Sequence, residues 1–162
     1  MSYRNPAELA ALLGPRQPVI GLDPGEKTVG IALSDPSRSI ASPFSAVARR
    51  PAKNLVEALR KLVADERAGG IIVGLPLNMD GSAGPSAQAA RQLGVNLERE
   101  LGVPVAFWDE RMSTAAVTRT LLEADASRRR RAEVVDKMAA AYILQGALDS
   151  MRGTTGRSGD NA

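Results

Sequence analysis

The chain has 162 residues, 44% apolar and 24% charged, with 21 basic against 18 acidic side chains and so a net charge of +3; this suits one globular domain with its own core. It contains no cysteine and no histidine, which excludes disulfides, thiolate or imidazole metal sites and His-based catalytic triads. Any chemistry must run on carboxylates, lysine, tyrosine, hydroxyls or metal-bound water, and the compatible metals are hard cations with oxygen ligands, Mg²⁺ or Mn²⁺.

The positive charge is uneven. Arg49-Arg50 is a pair and Arg128–Arg131 is a run, patches that suit a phosphate backbone as well as a solvated surface. No apolar run is long enough to span a membrane, and the first residues lack the order of a signal peptide, so a cytoplasmic protein without a membrane partner is expected.

Residues 1–17 read as an N-terminal extension, with a short helix over Pro6–Leu13 that sets Leu9, Leu12 and Leu13 on one side and stops at Gly14-Pro15. Val19–Leu22 and Val29–Leu33 are strands joined by the turn-rich Asp23-Pro24-Gly25-Glu26-Lys27-Thr28, a hairpin signature. Ser39–Val47 is a third, antiparallel strand, and Pro43 marks it as an edge or a bulge. Ala52–Glu66 is a helix with Leu55, Ala58, Leu59, Leu62 and Val63 on one face, ended by Gly69-Gly70. Ile71–Leu75 is apolar throughout, as a strand buried on both faces requires. The loop Pro76–Pro85 leaves its carboxyl end, where α/β sheets commonly bind ligands.

Ser86–Leu101 is a second amphipathic helix, and Val103–Trp108 a buried strand running into Asp109-Glu110-Arg111. Ser113 or Thr114 caps a helix through Leu122, and Glu123–Ala132 is a polar connection. Val134–Met151 is the last helix, with Val135, Met138, Ala139, Tyr142, Ile143, Gly146 and Ala147 as its apolar stripe. Residues 152–162 read as a disordered tail, leaving residues 18–151 as the domain. Three antiparallel strands followed by alternating helices and strands give an α/β fold, a mixed five-stranded sheet with helices on both faces.

Acidic residues fall at element ends. Asp23 ends the first strand, Asp109 and Glu110 end the last, and Asp136 begins the last helix. Each has an ordinary structural use: a turn cap, an acceptor for a following helix, a dipole partner. If the two strands end at one rim and the helix crosses it, the carboxylates converge, and such a cluster is the frame for one or two divalent ions that activate water against a phosphodiester. Neighbours on a strand face opposite ways, so one of Asp109 and Glu110 is expected at the site, and we choose Glu110.

Four blocks carry a resemblance: GLDPGEKTVGIALSD (Gly21–Asp35), IIVGLPLNMDGSAGP (Ile71–Pro85), WDERMST (Trp108–Thr114) and VVDKMAAAYILQGALD (Val134–Asp149). In their order and spacing they resemble the YqgF (RuvX-like) family of pre-16S rRNA nucleases, relatives of Holliday-junction resolvases. The resemblance implies a ribonuclease H-like fold and a Mg²⁺- or Mn²⁺-dependent endonuclease that matures the 5′ end of the small-subunit rRNA. Its partners would be precursor rRNA and the ribosomal particles that carry it. Asp23, Glu110 and Asp136 match the acidic motif positions, as catalytic residues and metal ligands. Lys27, Asn78, Arg111 and Thr114 match further motif positions and are candidates for substrate contact. Two departures stand out: Pro24 occupies a place usually aliphatic or aromatic, and Ala132-Glu133 stand where basic residues often precede the last Asp.

Other readings are a four-way DNA junction resolvase, which would act as a homodimer rather than a monomer, and an assembly factor that binds rRNA without cutting it. A sugar-kinase-like ATPase also carries an Asp-x-Gly turn, but needs a second lobe that this chain lacks. Five aromatic residues, mostly placed in the expected core, leave few rings for stacking bases, so recognition by backbone charge and shape is expected.

Overall fold

The structure, a computed structural model, describes residues 3–112 and 128–160, with side chains at 3–112 and 135–152. The elements run α1 (Pro6–Ala10), β1 (Val19–Pro24), β2 (Thr28–Ser34), β3 (Ala41–Ala48), α2 (Ala52–Glu66), β4 (Gly70–Leu75), α3 (Pro85–Leu101), β5 (Val105–Asp109), a 3-10 turn (Glu110–Met112) and α4 (Arg128–Asp160). The expected helix beginning at Ser113 or Thr114 lies outside the described residues.

The strands form one five-stranded sheet in the order β3-β2-β1-β4-β5. β1 pairs antiparallel with β2 and β2 with β3, whereas β1, β4 and β5 run parallel. The mixed sheet follows from the connections: tight turns join the first three strands, and helical crossovers join the parallel ones. β3 is an edge, and its register with β2 slips between Ile31 and Ala32, next to the pairing of Ala32 with Pro43, where proline's missing N–H is tolerated.

Strand alternation divides the core in two. Ile20, Leu22, Ile31, Ile71, Val73 and Phe107 face α2 and α3, which contribute Leu55, Leu59, Ala90 and Leu97. Val19, Ala32, Ile72 and Ala106 face α4, which contributes Ala139, Ala140, Ile143, Leu144, Ala147 and Leu148. α4 lies close to the sheet because small residues sit beneath it: a Cβ on Gly21 would stand 2.6 Å from the Leu144 Cβ, and one on Gly74 the same distance from the Ile143 Cδ1.

Several elements differ from expectation, and one is sharpened: within the N-terminal extension, Leu9 is fully buried under α4. Arg4 bonds to Glu98 and to the Val105 carbonyl at 2.5 and 2.9 Å. Helix α1 is shorter than expected and leaves Leu12 exposed. α2 ends at Arg67, in the left-handed region at φ 54°, before the glycines are reached. Phe44 is exposed because β3 has no further strand or helix beyond that position. The polar connection and the tail are both partly helical: α4 takes in Arg128–Arg131 and continues past Met151 to Asp160, as helix propagates at low cost once its buried turns have nucleated it. Among the described residues no helix is long and apolar enough to cross a membrane.

Candidate active site

The carboxyl ends of β1, β4 and β5 share one edge of the sheet, because the three strands are parallel. That edge collects Asp23 from β1, the 76–84 loop from β4, and Asp109 and Glu110 from the end of β5. Thr28, at the start of antiparallel β2, is there too.

Asp23 is paired across the hairpin with Gly30. Cross-strand partners present the same face, and on that face a Cβ at Gly30 would overlap the Asp136 carbonyl oxygen. The backbone of α4 therefore crosses the sheet beside Asp23. Asp23 is 4% and Glu110 8% exposed, and they are two of three polar residues buried to this degree among the described residues. Carboxylates are rarely held so far from water without a use for their charge. Asp136 is half-buried, and its Oδ2 accepts a hydrogen bond from the Thr28 hydroxyl.

The three-way meeting of Asp23, Glu110 and Asp136 expected from the sequence is not made: among the described residues no three acidic side chains lie close enough to hold one ion. The Asp136 carboxylate is engaged with Thr28 instead; an anion takes a hydroxyl donor in preference to a second anion. In kind, the donors still suit a hard divalent cation: they are all carboxylate oxygens, two are held rigidly in the rim, and none is a softer ligand that would favour another metal.

Asp109 is spoken for. Arg111 donates to it through Nε and Nη2, the latter at 2.7 Å. That guanidinium holds the Asp109 carboxyl below the usual carboxylate range, and the carboxylate raises the pKa of Arg111 in turn. Arg111 also reaches the Met79 carbonyl at 3.0 Å, so it ties the end of β5 to the loop after β4.

That loop is braced from within. Asn78 N–H donates to the Ser82 carbonyl at 2.9 Å, Asn78 Nδ2 reaches the Ser82 hydroxyl, and Ser82 donates from its N–H and hydroxyl to Asp80. These Ser82 bonds lower the Asp80 pKa, with Arg111 helping at a distance. Gly81 sits at φ 88°, a backbone angle that glycine takes without strain. Asn78 and Arg111, candidates for substrate contact, thus have loop-holding roles. Lys27 is exposed on the hairpin turn. Thr114 lies outside the described residues.

Thr28 escaped the sequence reading. It closes the turn after Lys27, but its partner is 108 positions away, and only the placement of α4 over β2 reveals the pair.

A family model described as "RuvX: Holliday junction resolvase" matches residues 17–150. A protein of Paramagnetospirillum magneticum named "Putative pre-16S rRNA nuclease" is 56% identical over 148 residues, covering 91% of this chain and 96% of its own. Proteins of the same name from Caulobacter sp. strain K31 and Gluconacetobacter diazotrophicus are 51% and 50% identical, covering 94% and 93% of this chain and 94% and 98% of their own. Among solved structures, T. thermophilus RuvC in complex with Holliday junction substrate aligns with a TM-score of 0.52 at 16% identity, over 85% of this chain and 97% of that one. A second Thermus thermophilus RuvC structure gives a TM-score of 0.51. The shared fold is ribonuclease H-like α/β.

Proposed function

The chain belongs to the RuvX family, and from that premise we propose that it is an endonuclease that hydrolyses phosphodiesters in structured nucleic acid, with the 5′ end of precursor 16S rRNA as its substrate. The observation that carries this reading is the burial of Asp23 and Glu110 at one rim of the sheet, where α4 brings Asp136 across Gly30. The relatives' name and their coverage of nearly the whole chain support the choice of RNA.

Asp23 and Glu110, buried in the rim, would hold Mg²⁺ or Mn²⁺, and Asp136 would complete the set once its carboxylate left Thr28. When bound, such an ion lowers the pKa of a water and stabilises charge on the phosphodiester oxygens. The chain's own residues prepare the place for it. Thr28 fixes Asp136 by its hydroxyl, and a cation there competes with Thr28 for the same carboxylate. Lys27, exposed on the turn, offers its ammonium to an incoming phosphate, and Thr114 is a second contact by its motif position. Asn78 and Arg111 act through the loop they hold. An enzyme of precursor rRNA works where ribosomes are built, in the cytoplasm.

The family description, and the RuvC fold it shares, favour a second reading: cleavage of four-way DNA junctions. That reading needs a homodimer to cut two strands symmetrically, whereas RNA maturation needs only one copy. One experiment tests both, and the non-cleaving assembly factor as well. The protein and Asp23→Asn are incubated with a precursor rRNA fragment or a four-way DNA junction, in Mg²⁺, Mn²⁺ or EDTA. Cleavage of the RNA in Mg²⁺ or Mn²⁺ that Asp23→Asn abolishes is expected. Equal cleavage by the variant, or cleavage in EDTA, overturns the mechanism; binding without cleavage under every condition favours the assembly factor.

A further inference from the structure

The Arg49-Arg50 pair is not used by the site described above, yet it lies beside it. A cavity of about 350 Å³ opens between the turn after β1 and the start of α3, lined by Pro24, Glu26, Arg49, Arg50, Pro85 and Ser86. Pro24 follows Asp23 directly, so the cavity adjoins the rim on the face opposite α4. Arg49 is held in place: its Nη1 donates to the Gly25 carbonyl at 2.8 Å, and its backbone N–H to the Lys27 carbonyl at 2.9 Å. Among the described residues neither Arg49 nor Arg50 forms an ion pair with a carboxylate, whereas Arg4, Arg60, Arg99 and Arg111 each do. Glu26 is the one carboxylate in the wall, and it is exposed on the turn, leaving the lining net positive.

Two guanidinium groups in a walled recess are a fork-shaped donor set that matches phosphate oxygens. Resting on the nuclease reading, we propose that this cavity is a phosphate subsite, in which Arg49 and Arg50 grip the nucleic-acid backbone next to the phosphodiester that is cut. Ser86, also in the lining, supplies a neutral hydroxyl donor. The strand then crosses the rim of the sheet, its reacting phosphate beside Asp23 and a neighbouring phosphate in the recess. Consecutive Cα atoms are about 3.8 Å apart, so Asp23 and Pro24 place the two positions within one short stretch of backbone.

Binding without cleavage tests this. The full chain is titrated in EDTA, by fluorescence anisotropy over a series of salt concentrations, against a precursor rRNA fragment and against a four-way DNA junction. The Arg49→Ala/Arg50→Ala variant should bind both about tenfold more weakly, with the slope of log affinity against log salt reduced by about one phosphate's worth, roughly 0.7–0.9. Arg49→Lys/Arg50→Lys should keep the slope and recover only part of the affinity, since lysine lacks the fork. Glu26→Gln, on the exposed turn, should bind more tightly than wild type.

Unchanged affinity and slope in the double alanine variant, or no gain in Glu26→Gln, overturn the subsite while leaving the nuclease reading intact. A loss confined to RNA would mean that the 2′-hydroxyl is being read, and also overturns the assignment to phosphate. If the wild type binds neither nucleic acid, the subsite and the nuclease reading fall together.

Discussion

Gly30 of β2 lies directly beneath the backbone of Asp136, so that a Cβ at residue 30 would meet the Asp136 carbonyl oxygen, with the Lys137 nitrogen 3.2 Å away. No rotamer change can relieve such an overlap, because both sides are main chain. Gly30→Ala should displace α4, cost about 1–3 kcal/mol of stability and impair cleavage more than it impairs folding. Gly21→Ala meets the Leu144 side chain farther along the same helix, and should lower stability while sparing the geometry at Asp136. Urea unfolding and turnover of both variants would check the contrast; equal loss of activity per unit of stability would count against it.

Asp23→Asn and Glu110→Gln should each lower cleavage by about a hundredfold or more, as loss of a charge that the proposed ion needs removes its hold on water and phosphate. Binding of uncut RNA in EDTA should persist in both. A variant that lost binding and cleavage in parallel would place its carboxylate in the fold rather than the chemistry.

The bond from Thr28 to Asp136 joins a charged acceptor to a hydroxyl. Thr28→Val should cost about 1–3 kcal/mol, and Thr28→Ser much less. Combined with Asp136→Asn, the two losses should fall short of their sum in a double-mutant cycle. Strict additivity would show that the pair is not coupled.

Arg111→Ala removes the bridge from Asp109 at the end of β5 to Met79 in the loop after β4. Amide exchange over residues 77–84 should quicken, and the Asp109 carboxyl should rise back toward its ordinary range once the guanidinium is gone. Global stability should change little, since the pair is partly solvated. Unaltered exchange in the loop would show that its internal bonds suffice.

Asp35 provides a pH signature away from the site. The Ile40 and Ser39 N–H groups and the Ser37 hydroxyl bond to its carboxylate, and they lower its pKa from 3.8 to about 2. A pKa depressed in the folded state gives stability that is present above 3.8 and lost as pH falls toward 2. Asp35→Ala should therefore be less stable than wild type near neutral pH, and the gap should close as acid is added through that window. A gap independent of pH in urea unfolding would remove the carboxylate from the account.

Periodicity made much of this architecture readable. Helix α2 was expected over Ala52–Glu66 and runs over those residues, because Leu55, Leu59 and Leu62 repeat at helical spacing. β4 was expected to be buried on both faces from its unbroken apolar run, and it is. Pro43 correctly placed β3 at an edge. Features that depend on distant partners were not readable. The left-handed Arg67 that ends α2 carries no local glycine to announce it. Phe44 is exposed because of what is missing beside it, not because of its own chemistry. At the candidate site, the acidic positions could be named from element ends, but the hold of Thr28 on Asp136 and of Arg111 on Asp109 required the elements to be in place.

The tie between the start of the chain and β5 bears on the order of assembly. The Arg4 side chain bonds to the Val105 carbonyl across 101 positions, and the Arg4 carbonyl takes the Phe107 N–H at 2.9 Å. Residues 4–9 therefore have no edge to lie against until β5 has joined β4, and closing so long a loop is entropically slow. Their place in the fold is also a shield: without the Arg4 carbonyl, the outer edge of β5 would offer the Phe107 N–H to any passing strand.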